Sequence, residues 1–176
     1  IEENNLAPIS LDLGEILSLA NSILVGDIDE GRFITLVLIR LDLHSKNLTY
    51  VNAGHPSGYV LDVSGDVKAP LESTTLPLGI STDASFATSD PIPLTPGDMI
   101  VLFSDGVPEA MCPKGRFFGT ARTLEFFRAN QTRPAREIAE GLYQAVCQHA
   151  GPGKLMDDVT ATVIKVENGQ NDFPET

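Results

Sequence analysis

Apolar and polar positions along this chain repeat with a period that changes from segment to segment, and those changes mark its elements. From residue 10 to 24, SLDLGEILSLANSIL sets Leu13, Ile16, Leu17, Ala20 and Leu24 on one face of a helix, with Ser10 available to cap it. After the loop GDIDEG (26–31), the stretch FITLVLIRLDL (33–43) is almost wholly apolar and rich in β-branched residues, which predicts a strand buried on both faces. HSKN (44–47) turns the chain and LTYVNA (48–53) returns it as a second strand. GYVLDV (58–63), a turn over SGD (64–66) with Gly65 at its tip, and the residues that follow predict a second hairpin. Residues 70–98 are polar, contain prolines and end in the turn TPGD; they read as a surface loop, with a substrate-facing flap as the alternative.

MIVLFS (99–104) predicts another buried strand, and two helices follow, over about 119–129 and over 134–150. In the second, Pro134 suits the first turn, and Ile138, Leu142, Ala145 and Val146 share a face. GPGK (151–154) breaks that helix, DDVTATVIKV (157–166) alternates like a strand, and the polar tail is expected to fray. Antiparallel hairpins early and helices late predict an α+β fold with layered packing, one domain over 1–168 and a tail over 169–176.

Composition narrows the function. With 12 basic and 24 acidic residues among 176, the net charge is −12, which disfavours a nucleic-acid partner and is compatible with cation binding. The apolar run around Thr35–Ile39 is far too short to span a bilayer, and no signal peptide is evident, so no membrane partner is expected. Two cysteines, Cys112 and Cys147, make no disulfide framework and point to a reducing cytoplasm. A chain that begins at Ile1 instead of Met is expected to be cut from something longer.

The candidate chemistry lies at two strand ends. Asp105 leaves the C-terminal end of MIVLFS, and Asp157 enters the N-terminal end of the last strand. If those strands are antiparallel neighbours, the two carboxylates meet at one edge of the sheet. Paired oxygen ligands without His or Cys suit hard cations such as Mg2+ or Mn2+. Gly106 lets backbone approach closely, and Glu109, four residues beyond Asp105, can reach back to the cluster. Taken singly, an Asp-Gly pair is ordinarily a turn and an Asp-Asp pair a cap or a solvated loop; their joint placement raises the functional reading.

AGHP (53–56), LPLGI (76–80), LTPGDMIVLFSDGVPEA (94–110), FFG (117–119) and DDVTATVIKV (157–166), in that order, resemble the PPM superfamily of metal-dependent Ser/Thr phosphatases, in its bacterial SpoIIE/RsbU-like branch. EGRFITLVLIRLD (30–42) resembles it too, and the likeness covers about residues 10–166. It implies a two-layer antiparallel β-sandwich flanked by helices, with a dinuclear Mn2+ or Mg2+ centre at one edge. On that template Asp105 and Asp157 match metal ligands. Asp158 falls where the family tolerates Asn, which implies a supporting or structural role. Glu109 matches an acidic position that in some relatives helps hold a further, weaker metal, and His55 lies in the AGH segment near the centre. The branch implies hydrolysis of phosphoserine or phosphothreonine on a regulatory protein of the anti-anti-sigma (STAS) type, and a sensory or receiver domain upstream. Two metals would clamp the phosphate and activate a water, with no protein nucleophile.

One motif of the family is not found. Its bridging aspartate sits in a GD-x-SGHG segment ahead of the first helix, and nothing before Ile9 resembles it. Asp27 in GDIDEG lacks the glycine pattern and directly precedes a strand, so it is rejected as the substitute. The expectation is therefore a family domain without its N-terminal elements and bridging ligand, with catalysis expected of the intact parent and not of this piece alone; a catalytically silent module that binds a partner or relays a signal is the alternative. Other phosphoryl chemistries fail on spacing. A cysteine phosphatase needs five residues between Cys and Arg, whereas Arg116 stands only four positions after Cys112; GPGKL (151–155) is no P-loop, and no GxSxG is present.

Overall fold

The computed structural model describes residues 11–29, 31–152 and 155–167, and the chain divides into two compact units. One runs to His55 and takes in Ser73–Pro91; the other comprises Pro56–Glu72 and the described chain from Ile92 onward. The tail predicted over 169–176 lies outside the described residues, as does Ser10.

The first unit holds α1 (Leu13–Asp27), β1 (Leu36–Asp42) and β2 (Asn47–Ala53). Asp12, not Ser10, caps α1. Its carboxylate accepts from the Gly14 N–H at 2.8 Å while Glu15 reaches back to the Asp12 N–H at 3.1 Å, a reciprocal capping box. The buried arc of α1 is Leu13, Gly14, Leu17 and Asn21; Ile16, predicted to face inward, is 37% exposed. This helix is apolar nearly all round, so periodicity alone does not orient it. What does is Gly14: a Cβ there would lie 1.9 Å from the Phe86 carbonyl oxygen, so only glycine lets this turn sit so close. Asn21 is buried and satisfied, accepting from Gly79 N–H and donating to the Ser81 carbonyl, both at 2.9 Å.

β1 and β2 pair antiparallel from Leu36↔Ala53 to Asp42↔Asn47. The expectation that β1 is buried on both faces is corrected: Leu36 and Asp42 are exposed and the residues between are half-buried. β1 ends the strand order of its sheet, and an apolar run by itself does not separate an edge strand from a central one. The core of this unit gathers Leu13, Leu17, Val51, Ala53, Leu78 and Phe86.

The second unit holds β3 (Gly58–Leu61), β4 (Val67–Leu71), β5 (Ile92–Pro93), β6 (Met99–Phe103), α2 (Thr120–Asn130), α3 (Ala135–Ala150) and β7 (Ala161–Lys165). Four of its strands form an antiparallel sheet in the order β4-β3-β6-β7. The β3–β4 hairpin turns at Gly65, whose φ of 80° is a left-handed conformation that favours glycine. Residues 70–98, read as a loop, contain the end of β4 and the short β5. β7 is shorter than the alternation of 157–166 suggests, because 157–160 lie before the strand begins.

α3 presents the predicted face: Ile138, Leu142 and Val146 are fully buried and Ala145 packs beside them. Pro134 stands at the N-cap instead of inside the first turn. Together with Leu61, Met99, Val101, Phe103 and Phe127 these side chains make the larger core, in which Phe103 stacks between Tyr59 and Phe127 with centroid separations of 6.0 and 6.2 Å. Antiparallel strands with helices in each unit make the α+β class predicted from the pattern. No helix among the described residues is long and apolar enough to cross a membrane.

Two outcomes follow for stability. Truncating fully buried Phe127 to Ala is expected to cost about 3–5 kcal/mol in urea unfolding; a loss below about 1 kcal/mol would contradict its place in the core. The Thr88 hydroxyl first, then the Gly14 and Glu15 N–H groups, hold the Asp12 carboxyl below the usual carboxylate range. A depressed folded-state pKa stabilises above the unfolded value and ceases to as pH falls through the folded one. The urea midpoints of wild type and Asp12→Ala should therefore differ most at neutral pH and converge in acid; a gap that widens in acid would contradict the cap.

Candidate metal centre

The antiparallel neighbours that the site requires are present. β6 and β7 pair from Met99↔Lys165 through Ile100↔Ile164 and Val101↔Val163 to Phe103↔Ala161. Beyond Phe103 the ladder continues for one more step, as Ser104 N–H donates to the Thr160 carbonyl at 3.0 Å. The Ser104 side chain then carries the contact on by itself. Its hydroxyl donates to the Asp158 carbonyl and accepts from the Thr160 N–H, each at 3.0 Å. One serine thus ties the Asp105–Gly106 turn to the Asp157–Asp158 segment from 54 and 56 residues away. In the sequence Ser104 is only the last residue of the predicted strand 99–104. Its signal was its place immediately before Asp-Gly, where a hydroxyl can take over pairing as the ladder runs out.

The turn after β6 is tightly hydrogen-bonded. Val107 N–H donates to the Ser104 carbonyl at 3.1 Å, and Glu109 N–H to the Asp105 carbonyl at 2.9 Å. Val107 and Ala110 plug into the core, leaving the Asp105 and Glu109 side chains in solvent. Gly106 is buried against the opposite segment, and a Cβ on it would lie 2.3 Å from the Asp158 carbonyl oxygen. The close backbone approach expected of Gly106 is therefore directed at Asp158.

A cavity of about 390 Å³ brings three of the candidate residues together: Gly106, Glu109 and Asp157 line it. Asp105 is not among its lining residues; it occupies the turn one step before Gly106. Asp157 and Asp158 also line a second cavity of about 800 Å³, beside Tyr143 and Cys147 of α3. The Asp157 carboxylate caps its own segment, accepting from the Asp158 N–H at 2.7 Å. His55 belongs to the first unit. There its N–H donates to buried Asn52 Oδ1 at 2.8 Å, and its Nδ1 stands 3.3 Å from the Thr35 hydroxyl. Asp27, rejected as a ligand, is the last residue of α1.

The donor set is hard oxygen throughout, as Mg2+ or Mn2+ demands. Among the described residues, however, no group of three or more His, Cys, Asp or Glu side chains is arranged to hold a metal ion. A cation bound here would use one or two carboxylates and complete its shell with water or with a donor from elsewhere, a mode common for Mg2+.

Comparison with known proteins bears on this arrangement. The family model described as "Stage II sporulation protein E (SpoIIE)" matches residues 4–167. Phosphoserine phosphatase RsbU of Bacillus subtilis is 28% identical over 162 residues, covering 92% of this chain and 48% of the relative. Among solved structures, the SiaA-PP2C domain of Pseudomonas aeruginosa superposes with a TM-score of 0.76 at 20% identity, covering 88% of this chain and 61% of that one. The phosphatase domain of SpoIIE from Bacillus subtilis, presoaked with Mn, gives a TM-score of 0.65 at 20% identity, covering 96% and 75%. At those identities the structures establish a shared fold. The chain spans between 21% and 48% of the length of the curated relatives it matches.

The serine bridge is testable without any ligand. Ser104→Ala is expected to lose about 0.5–1.5 kcal/mol of stability and to speed amide exchange at Thr160, with Ser104→Thr restoring protection. Unchanged Thr160 exchange in the alanine variant would contradict the bridge.

Proposed function

The chain belongs to the SpoIIE family, and we propose on that footing that it is a metal-dependent phosphoprotein phosphatase domain acting on phosphoserine or phosphothreonine of a regulatory protein. The observation that carries the reading is the pairing of β6 with β7, extended by Ser104, which draws an Asp-Gly turn and an Asp-Asp segment to one sheet end. RsbU, named a phosphoserine phosphatase, aligns across both segments' region of the chain and supports the chemistry.

In this reading Asp105 and Asp157 are the metal ligands, and bound Mn2+ or Mg2+, as a dinuclear centre, supplies charge neutralisation for the phosphate and an activated water. Each residue of the chain then has a task. Ser104 fixes the distance between the two ligand-bearing segments. Gly106 lets the turn seat against the Asp158 carbonyl. Asp158 acts through that backbone oxygen, and Glu109 adds negative charge to the same cavity as Asp157. His55 is a further candidate, carried by the family resemblance and held by Asn52 and Thr35. The substrate we favour is a phosphorylated anti-anti-sigma (STAS-type) protein in the cytoplasm, with a sensory or receiver domain upstream in the parent protein.

A second reading, a silent module that binds a partner, is favoured by the lack of a complete three-residue metal cluster among the described residues. Hydrolysis of p-nitrophenyl phosphate and of phosphoserine peptides under added Mn2+ separates the two. The phosphatase reading expects Mn2+-dependent turnover by the parent protein that Asp105→Asn or Asp157→Asn lowers by about 100-fold or more with the fold kept. Wild-type turnover in Asp105→Asn would remove it as a ligand; no turnover by the parent protein at any Mn2+ level would leave the silent module, whereas turnover by the parent and none by this chain fits a phosphatase domain without its bridging ligand.

A further inference from the structure

The cavity that holds Glu109 and Asp157 has a rim of a different character. Met111, Phe117 and Met156 border it, and they are 38%, 61% and 83% exposed. Apolar side chains clustered in solvent around one cavity are what an interaction surface presents.

The Met111–Phe117 side of this rim is built, not loose. Met111 and Phe117 form an antiparallel bridge that closes a small hairpin, within which Cys112 N–H donates to the Arg116 carbonyl at 2.9 Å and Gly115 N–H to the Cys112 carbonyl at 2.8 Å. Phe118, next in sequence, points into the core and is 5% exposed, which turns Phe117 outward. His149 of α3 clamps the hairpin. Arg122 has only protons to offer, so His149 Nδ1 accepts from it at 2.9 Å; the imidazole therefore carries its proton on Nε2, which donates to the Arg116 carbonyl at 2.9 Å. The backbone that carries Phe117 is thus already ordered before anything docks on it.

Charge decides what docks. A phosphorylated partner approaching Glu109 and Asp157, on a chain of net charge −12, is repelled by these carboxylates unless a cation is bound beside them. Contacts that are not ionic add affinity without meeting that repulsion, and the rim supplies them: an aromatic anchor and two adaptable thioethers.

We propose that Met111, Phe117 and Met156 form a specificity pocket that takes a large apolar side chain flanking the phosphorylated residue of the substrate protein. The inference rests on the phosphatase reading for the identity of the partner. Its test is binding, read by fluorescence anisotropy with labelled phosphoserine peptides that carry Leu, Ala or Asp beside the phosphoserine, in Mn2+ and again in EDTA. The Leu peptide is expected to bind about 10-fold tighter than the Ala peptide, with the Asp peptide weakest. Phe117→Ala and Met156→Ala should bring the Leu-to-Ala ratio to within about twofold, while Phe117→Leu keeps most of it. Circular dichroism of the variants checks that these exposed positions leave the fold intact. Equal binding of Leu and Ala peptides by the wild type, or a preference that survives Phe117→Ala, would overturn the proposal. Mn2+-dependent turnover of p-nitrophenyl phosphate by the parent protein, run alongside, tells failure of the pocket from failure of the phosphatase reading: turnover without discrimination sinks the pocket alone, and discrimination without turnover by the parent sinks the phosphatase reading alone.

Discussion

The antiparallel ladder between β6 and β7 is the constraint on which the candidate site depends. An exposed aspartate at a turn has no function of its own; it acquires one when the backbone holds a second hard-oxygen donor nearby. Here the ladder runs from Met99↔Lys165 to Phe103↔Ala161, and Ser104 adds three hydrogen bonds after the strands end. Core packing anchors both partners. Met99, Val101 and Phe103 point into the same cluster as Ile138, Leu142 and Val146, with Val163 packed against it, so a one-residue slip would turn strand side chains out of that cluster.

Electrostatics gives the same region its chemical sense. Gathering carboxylates on a chain of net charge −12 raises the local negative potential. Without a counter-charge that concentration has no evident benefit, since Asp105, Glu109, Asp157 and Asp158 are all exposed and none is held in an ion pair among the described residues. A divalent cation reverses the local field and turns a repulsive surface into one that attracts a phosphoester. The apolar rim of Met111, Phe117 and Met156 complements this by offering a partner contacts that no salt concentration screens.

Much of this was legible in the sequence, for reasons that can be named. Strong period signals with clear punctuation survived: the β3–β4 hairpin around Gly65, the inward face of α3 at Ile138, Leu142 and Val146, and the strand MIVLF. Apolar runs without a period did not. α1 is apolar around most of its circumference, so the inward arc was settled by the closeness of Gly14 to Phe86, a contact between residues 72 positions apart by number that no local pattern encodes. β1 reads as central by composition and stands at the end of its sheet order. At the site, the aspartates announced themselves by their place at strand ends, whereas Ser104 did not, because a hydroxyl's role depends on which backbone groups lie opposite.

The central claim is that the Asp105 turn and the Asp157 segment grip the same divalent cations. Paramagnetic broadening by Mn2+ in the ¹H–¹⁵N spectrum of the chain tests it most directly. The account predicts that the amides of Asp105, Gly106, Asp157 and Asp158 broaden together at the lowest Mn2+ added, before any other exposed carboxylate segment. Broadening confined to one of the two segments, or spread evenly over acidic surface positions such as Asp29 and Asp83, would contradict it.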